Sequence, residues 1–311
     1  MTNEELQMHQ IHLLQHILAL LQQNSYNQRE LHKAIKKNIY DNYKKNICNN
    51  LPDNSLLHYG YKMYSQNEED GIIQEIFNRI GTTNKLFVEI GVEYGHECNT
   101  RALLLKNWKG VWIDAREQCI NHINTNLNKL IDSKILTAVN SFVNKDNIEH
   151  VIKDFLPNGT NEIDLFSLDI DGYDAHLFPY AKCINPRVII AEYNGKYPVD
   201  INVSVKYDTL HVWDYSDYVG ASLTYLNEVL DEMNYTLVAC ELTGTNAFYV
   251  RNDLIKDNMF DRPGDIEYHW KPAMYNFSVL PCGHEPNSHL KQASANQTTE
   301  DQFQNYIIKE V

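Results

Sequence analysis

Apolar residues in the first fifty positions recur at helical spacing. Steps of three and four residues predict an amphipathic helix over residues 5–23 and a second one over residues 29–43. The apolar positions that set this spacing are Ile11, Leu14, Leu18, Leu21, Leu31, Ile35 and Ile39. We interpret residues 1–50 as an N-terminal helical extension, which either pairs chains into a homo-oligomer or folds as a lid onto the domain that follows.

From about residue 58 the pattern changes to short apolar runs separated by stretches compatible with helices. The runs are Leu86–Ile90, Val111–Ile113, Ile135–Val139, Leu165–Ile170 and Val188–Ala191. The helix-compatible stretches are Thr100–Lys106, Glu117–Ile131, Lys145–Phe155 and Asp174–Cys183. Continuous apolar strands that alternate with helices are typical of a parallel sheet covered on both faces, which predicts a doubly wound α/β fold.

A hairpin is predicted to complete this sheet. Its elements are a helix at Ser222–Met233, apolar runs at Thr236–Cys240 and Ala247–Val250, and the turn Thr243–Asn246 between the runs. Because so short a turn joins antiparallel neighbours, the last strand should run against the others. The prediction is therefore a Rossmann-like, seven-stranded sheet with an antiparallel terminal strand, in a domain spanning residues 58–260. Residues 261–311 are expected to form a partly irregular C-terminal extension.

Charge and cysteine content narrow the classes of protein. The chain has 311 residues, with 27 Lys+Arg against 41 Asp+Glu and a net charge of −14. This acidic balance argues against a nucleic-acid partner, because phosphate contacts need clustered Lys and Arg. The six cysteines include no Cys-x-x-Cys pair, which argues against a zinc ribbon. No stretch approaches the roughly 18 apolar residues of a membrane span and the N-terminus lacks a basic signal-peptide start, so we expect a cytoplasmic protein without a membrane span.

Glycine and acidic residues follow the first two predicted strands. In an open parallel sheet, ligands bind beyond the carboxyl ends of the strands. The first strand runs through Glu89 into a turn with Gly91 and Gly95, where the missing Cβ lets the backbone turn tightly and approach a ligand. The second strand ends in Asp114, where a carboxylate accepts hydrogen bonds from the ribose hydroxyls of an adenosine ligand. The sequence therefore predicts an adenosine site at this edge.

Two further polar pairs are candidate contacts to the same ligand. Asn140 and Ser141 follow the third strand, where the adenine would lie, and suit either hydrogen bonds to a base or a turn. Gln66 and Asp70 open a helix expected at Ile72–Ile80, either as capping residues or as a lid over the cofactor. The Gly-x-Gly-x-x-Gly pattern favoured by NAD is absent, but the spacing alone does not separate NAD from S-adenosylmethionine.

Acidic residues end the fourth and fifth strands. Asp169 and Asp171 follow the fourth strand, and Glu192 and Asn194 follow the fifth. We interpret Asp169, Glu192 and Asn194 as catalytic residues that offer three oxygens to a divalent metal such as Mg²⁺, with Asp169 also facing the cofactor. Alternatively, one carboxylate is a base that takes a proton from a substrate hydroxyl, and Asp171 caps the helix that follows. The long segment Asn194–Gly220 is expected to cover the acceptor substrate.

Taken together and in order, these motifs resemble a known family. The matching segments are Tyr64–Gly71, Phe87–Gly95, Trp108–Asp114, Asp164–Tyr173, Pro186–Asn194, Gly220–Leu223 and Gly244–Arg251. Over roughly residues 60–255 the chain is similar to bacterial methyltransferase-like relatives of the FkbM-type sugar O-methyltransferases, which are often encoded with surface-polysaccharide genes. The resemblance implies a class I S-adenosylmethionine fold, with Glu89, Gly91 and Gly95 in the cofactor loop and Asp114 at the ribose.

The resemblance also implies an activity. It is methyl transfer from S-adenosylmethionine to a hydroxyl of a sugar, nucleotide-sugar or glycan acceptor, in surface polysaccharide or glycoconjugate biosynthesis. Two other functions stay open at the level of the sequence. The Asp169-Ile170-Asp171 motif is typical of metal-dependent glycosyltransferases, and a non-catalytic assembly protein that pairs through residues 5–45 would keep the same fold.

Overall fold

The computed structural model describes residues 24, 26–28, 31–157, 159–211, 213, 216–274 and 306–308. The helix expected over residues 5–23 lies outside this part of the chain. Two compact units meet in the sequence between Asn50 and Leu51. In the N-terminal unit residues 31–48 form a helix, as the spacing of the apolar residues there predicts.

The larger unit is built on a seven-stranded sheet in the order β3-β2-β1-β4-β5-β8-β7. Its strands are β1 (Leu86–Ile90), β2 (Lys109–Asp114), β3 (Leu136–Asn140), β4 (Glu162–Leu168), β5 (Asn185–Glu192), β7 (Tyr235–Cys240) and β8 (Asn246–Arg251). The strands β6 (Val203–Val205) and β9 (Tyr306–Ile308) form a separate antiparallel pair. β8 runs antiparallel to both β5 and β7, whereas the pairs among β1 to β5 in the sheet are parallel. The predicted Rossmann-like α/β fold is confirmed, with β8 inserted between β5 and β7.

Most predicted helices occur, with shifted ends. The helices of the larger unit are Glu69–Ile80, Arg101–Leu104, Glu117–Asn126, Asn128–Asp132, Ile148–Lys153, Leu223–Glu232 and Ile266–His269. Turns of 3₁₀ type occur at Leu56–Tyr59, Asp174–His176, Phe178–Tyr180 and Asn252–Leu254. The single helix predicted over Glu117–Ile131 is interrupted at Leu127, where the flanking residues Asn126 and Asn128 have low helix propensity.

The α-helix predicted over Asp174–Cys183 is wrong. Two 3₁₀ turns stand in its place, at Asp174–His176 and Phe178–Tyr180. Pro179 explains the difference, because it lacks the N–H that a continuing helix requires and disfavours the helical conformation of Phe178 before it.

The strand register brings the carboxyl ends of the parallel strands to one edge of the sheet. Ile90 of β1 pairs with Ile113 of β2 and with Leu168 of β4, and Leu168 pairs in turn with Ala191 of β5. All four side chains are buried in the core. The residues that follow these strands therefore meet at the edge where ligands bind in open α/β sheets.

The compact unit that holds the sheet continues past residue 260. Asp261 and His269 are buried there, next to the buried Phe260. Residues 271–274, which we call the strap, lie against two glycines: a Cβ on Gly195 would lie 2.9 Å from the nitrogen of Ala273, and a Cβ on Gly244 would lie 2.5 Å from the carbonyl oxygen of Pro272. Ala273 donates its N–H to the carbonyl oxygen of Gly195 at 3.0 Å. The strap therefore ties the segment after β5 to the β7–β8 hairpin.

Candidate active site at the carboxyl edge of the sheet

The two glycines after β1 are required by the protein's own packing. Gly91 has φ +89°, and a Cβ there would lie 1.4 Å from the carbonyl oxygen of Asp169. Gly95 has φ +73°, and a Cβ there would lie 2.8 Å from the ring of Trp112. Both positions need glycine because the conformation is left-handed and the space is filled. The loop after β1 is thereby pressed against the ends of β2 and β4, and its contact with a cofactor stays a prediction.

The buried side chain of Glu89 holds the end of this loop by hydrogen bonds. Its buried carboxylate accepts hydrogen bonds from the N–H of Asn99 at 2.8 Å, from the N–H of Thr100 at 3.1 Å and from the hydroxyl of Thr100. Burial raises the pKa of Glu89 to about 7, with a smaller contribution from the negative charge of Asp70. The visible role of Glu89 is therefore to fix the far end of the loop that starts at Gly91.

Asp114 lies at the carboxyl end of β2 with its carboxylate buried and fully engaged. Its Oδ2 accepts the N–H of Glu93 at 2.7 Å, and its Oδ1 accepts the N–H of Arg116 at 2.8 Å. The Arg116 guanidinium adds contacts at 3.1 Å to Oδ1 and 3.3 Å to Oδ2. These four bonds use the roughly four acceptor positions of a carboxylate. Asp114 is thus tied to the glycine loop, with an arginine on its outer side.

Asn140 and Ser141 lie beside Asp114, as the strand order predicts. Asn140 is the register partner of Asp114 and donates its side-chain N–H to the carbonyl oxygens of Asp114 (3.1 Å) and Ala115 (3.0 Å). The N–H of Ser141 donates to the same Asp114 carbonyl at 3.0 Å. The side-chain amide of Asn140 therefore acts in a turn in this structure, and its contact with a base stays a prediction.

Three carboxylates meet where β4 and β5 end. Asp169, Asp171 and Glu192 each offer an oxygen, and these atoms lie within 4.8 Å of one another. Asp169 and Glu192 share a hydrogen bond, and burial together with the neighbouring acids raises the pKa of both well above the usual range. One proton held between the two side chains accounts for both shifts, because it removes one of two adjacent charges. This acidic trio can bind a hard divalent cation or take up a proton from a hydroxyl.

Asn194 holds part of the loop after β5, and its predicted place beside these acids stays a prediction. Its side-chain N–H groups donate to the carbonyl oxygens of Asp217 (3.1 Å) and Val219 (3.2 Å), and its Oδ1 accepts the N–H of Lys196 at 3.2 Å. The side chain therefore tethers the long loop after β5. The third side chain beside Asp169 and Glu192 is Asp171.

The 3₁₀ turn Asp174–His176 has no side-chain cap, so Asp171 does not cap it, and Asp174 instead holds the segment before it. Its carboxylate accepts the N–H of Ile170 at 2.6 Å and the N–H of Gly172 at 2.9 Å. Asp171 itself has φ +54°, which is uncommon outside glycine and turns the chain sharply after β4. The sharp turn brings the Asp171 carboxylate back toward Asp169.

Asp70 organises the segment before the first long helix. Its Oδ2 accepts the N–H groups of Met63 and Tyr64 at 2.7 Å each, and both the N–H and the hydroxyl of Ser65 at 2.9 Å. Gln66 lies in the same segment, and its carbonyl oxygen accepts the Lys62 ammonium at 2.7 Å. The segment that was predicted to cover the cofactor is therefore held by Asp70, while the contact itself stays a prediction.

Sequence reasoning missed a second group of buried acids near the start of β8. Glu69 and Glu241 are both fully buried, and the side-chain N–H of Asn246 donates to Glu69 at 2.9 Å. Glu241 accepts the N–H groups of Thr243 and Thr245 at 2.6 Å each, and burial beside Glu69 raises its pKa to about 7. The signal in the sequence is a glutamate directly before the tight turn that joins β7 to β8, where amide donors converge.

The long loop after β5 contributes a histidine that was not counted among the site residues. The Cδ2 atom of His211 lies 3.6 Å from the position that a Cβ on Gly172 would occupy. Its Nε2 atom is buried and has no hydrogen-bond partner among the described residues. The loop therefore reaches the turn that carries the acidic trio, although no periodicity in the sequence signals this.

Among the described residues, no helix combines the length and the apolar composition that crossing a membrane requires. No family model matches the chain, and no curated protein matches it. Solved structures do, among them an O-methyltransferase from Bacillus cereus in complex with SAH, at 14% identity over 67% of this chain and 88% of that chain, with a TM-score of 0.40. A second is a magnesium protoporphyrin IX methyltransferase from Synechocystis PCC 6803, at 10% identity over 59% of this chain and 77% of that chain, with a TM-score of 0.38. A third is a SAM-dependent methyltransferase from Aquifex aeolicus, at 12% identity over 57% of this chain and 87% of that chain, with a TM-score of 0.34. Similarity at this level concerns the fold.

Proposed function

We propose that this chain is an S-adenosylmethionine-dependent O-methyltransferase that acts on a hydroxyl of a sugar or glycan, in surface polysaccharide or glycoconjugate biosynthesis. One observation carries the proposal. A buried carboxylate beside a glycine loop, Asp114, and a proton-sharing acid pair, Asp169 and Glu192, lie at the same edge of a doubly wound sheet. The first suits an adenosine group, and the second suits a hydroxyl that must lose a proton.

The residues around Asp114 fit an adenosine group if one side chain turns. Two of the four hydrogen bonds to the Asp114 carboxylate come from the Arg116 guanidinium, whose side chain is 46% exposed. Because the Arg116 side chain is long and about half exposed, it can turn outward toward solvent and free two acceptor positions for ribose hydroxyls. Asn140 and Ser141 would then lie at the base, and Gly91 and Gly95 would hold the backbone close. When bound, S-adenosylmethionine supplies a methyl carbon made electrophilic by its sulfonium.

The acid pair supplies the base that the reaction needs. An acceptor hydroxyl must be aligned at ~3 Å from the methyl carbon and must lose its proton. The raised pKa values of Asp169 and Glu192 favour a pair that shares one proton, in which the ionised member would accept the hydroxyl proton while the other keeps its own. A Mg²⁺ ion suits the same three carboxylates, Asp171 included, and would take the place of the shared proton.

Calorimetry and activity measurements on matched variants test the proposal. We expect S-adenosylmethionine and S-adenosylhomocysteine to bind the wild type, Asp114→Ala to lose binding, and Arg116→Ala to bind more tightly because a competitor for Asp114 is gone. Asp169→Asn and Glu192→Gln should keep cofactor binding and lose about 100-fold or more in methyl transfer to a panel of sugars and nucleotide-sugars. Asp132→Asn, an exposed residue at the opposite edge of the sheet, is the control. No binding of either compound at millimolar concentration would refute the proposal.

A metal-dependent glycosyltransferase is the second candidate. The position of Asp171 favours it, because an Asp-x-Asp metal site needs both aspartates close together. Asp171 lies beside Asp169 in the acidic trio. Thermal shift measurements separate the two functions. Stabilisation by UDP- or GDP-sugars with Mg²⁺, without stabilisation by S-adenosylhomocysteine, supports the glycosyltransferase.

A further inference from the structure

The helix over residues 31–48 presents an apolar stripe to solvent. Leu31, Ile35 and Ile39 have exposed fractions of 62%, 48% and 47%. Since an α-helix turns by about 100° per residue, these three side chains fall within about 80° of one another on one face. A group of large apolar side chains left exposed on one helix face indicates a binding surface.

The helix that carries this stripe is rich in lysine. Residues 31–48 contain five lysines and one aspartate, a net charge of +4, in a chain whose net charge is −14. Lys36 and Lys45 fall on either side of the stripe, about 100° and 80° from its middle. Lys33, Lys37 and Lys44 lie on the opposite face. The helix is therefore basic and amphipathic, which is the pattern of segments that lie on membrane surfaces.

We propose that the helix over residues 31–48 binds an anionic lipid surface, lying flat with the stripe toward the acyl chains. Lys36 and Lys45 flank the stripe, where long side chains reach lipid phosphates while their methylene groups stay over apolar surface. Lys37 is paired with Asp41 at 2.6 Å, so its charge is partly offset. This binding is independent of the proposed methyl transfer.

A second copy of the same helix fits the stripe less well. The apolar residues are separated by steps of four and four, whereas a coiled-coil seam alternates steps of three and four. Pairing two copies would also place a charge of +4 against a charge of +4. An anionic surface complements that charge.

Co-sedimentation of the full-length protein with lipid vesicles tests the proposal. We expect pelleting with phosphatidylcholine vesicles that contain phosphatidylglycerol, little with phosphatidylcholine alone, and release near 1 M salt, where the Debye length is about 3 Å. Lys36→Gln and Lys45→Gln should each weaken binding about fivefold. Ile35→Asn combined with Ile39→Asn should abolish it. Leu105→Asn removes an apolar side chain that is 66% exposed in the sheet unit, and serves as the matched control that binds as the wild type does.

Three results would overturn the proposal. The first is no pelleting with anionic vesicles, and the second is undiminished pelleting of the Ile35→Asn, Ile39→Asn variant. The third is a wild type that is dimeric by sedimentation equilibrium and ignores vesicles while that variant is monomeric, which would assign the stripe to a second copy. Of the four residues substituted on this helix three are exposed, and Leu105 of the control is exposed too, so circular dichroism should show every variant folded.

Discussion

Carboxyl groups at the sheet edge keep their protons to a higher pH than exposed carboxyl groups do, because burial raises their pKa. Burial raises the pKa of Glu89 and of Glu241 to about 7, and raises that of Asp169 and Glu192 well above the usual range. A carboxyl group with a raised pKa in the folded state binds more protons there than in the unfolded chain. Such a group stabilises the folded state fully at low pH. This contribution is lost as the pH rises from the pKa of the group in the unfolded chain through its pKa in the folded protein.

Glu89→Gln should remove one part of this pH dependence. Between pH 4.5 and about 7 the wild type should lose up to about 3 kcal/mol more of its free energy of unfolding than the variant does, because glutamine does not titrate. Urea denaturation at a series of pH values measures the difference. Glu117→Gln, at an exposed position, is the control and should follow the wild type. Parallel curves for wild type and Glu89→Gln would contradict the prediction.

The sequence identifies which acids gather at this edge better than it identifies their partners. Asp169 and Glu192 meet because the order of parallel strands places their ends side by side, and strand order follows from apolar runs. The side chain of Asn194 also bonds to backbone carbonyls of Asp217 and Val219, in a loop with no periodic pattern. Hydrogen-bond partners of this kind depend on loop conformation, which hydrophobic periodicity does not encode.

At the scale of elements, the loop after β1 packs directly against the end of β4, with no space for a side chain at Gly91. The carbonyl oxygen of Asp169 occupies the space beside Gly91 that a side chain would fill. The N–H of Gly91 donates to the carbonyl of Ile113 at 2.8 Å, and the N–H of Asp169 donates to the carbonyl of Ile90 at 3.0 Å. The loop therefore continues the pairing of the strands past their ends.

Gly91→Ala should destabilise the fold far more than alanine at another glycine of positive φ. We expect a loss of at least about 3 kcal/mol, because strain from the left-handed conformation adds to a clash with backbone. Gly220→Ala is the matched control: its φ is +64° and nothing lies within 4 Å of the added Cβ, so it should cost about 1 kcal/mol. Urea denaturation compares the two. Equal losses would mean that Asp169 yields and that the contact is unimportant.

Element types are predictable here where a local signal is strong. The apolar run Leu86–Ile90 is a strand with those same ends. The strand β6, at Val203–Val205, was not expected, because three residues within a long loop give too short a pattern to recognise. At the two 3₁₀ turns around Pro179 the sequence does contain a signal, because a proline disfavours a continuous helix, but the predicted helix runs across it.

At the scale of the whole molecule, the segment that follows the boundary predicted at residue 260 packs on the sheet unit, and the boundary itself stays a prediction. The helix Ile266–His269 and the strap belong to the sheet unit, and His269 is buried. The sequence does not signal this packing, because the region is rich in proline, histidine and aromatic residues without a helical or strand period. Buried aromatic and histidine side chains can pack on a domain without forming a regular element.

A chain that ends at residue 260 should be less stable than one that ends at residue 274. Both lack the same later residues, so the difference reports residues 261–274 alone. We expect a lower melting temperature by roughly 5 °C or more, since loss of the strap leaves Gly195 and the hairpin without their hydrogen bonds. Thermal denaturation of the two proteins measures this. Identical melting temperatures would show that the segment contributes nothing to the fold.

The strap has a consequence for how this protein can diverge. A Cβ on Gly195 would lie 2.5 Å from the carbonyl oxygen of Gly244 and 2.9 Å from the nitrogen of Ala273, and Gly244 itself has a φ of +75°. Displacing the strap would leave the contact between the two glycine positions and the left-handed conformation of Gly244 unchanged, so a substitution at one position does not make the other acceptable. Descendants should therefore keep both glycines.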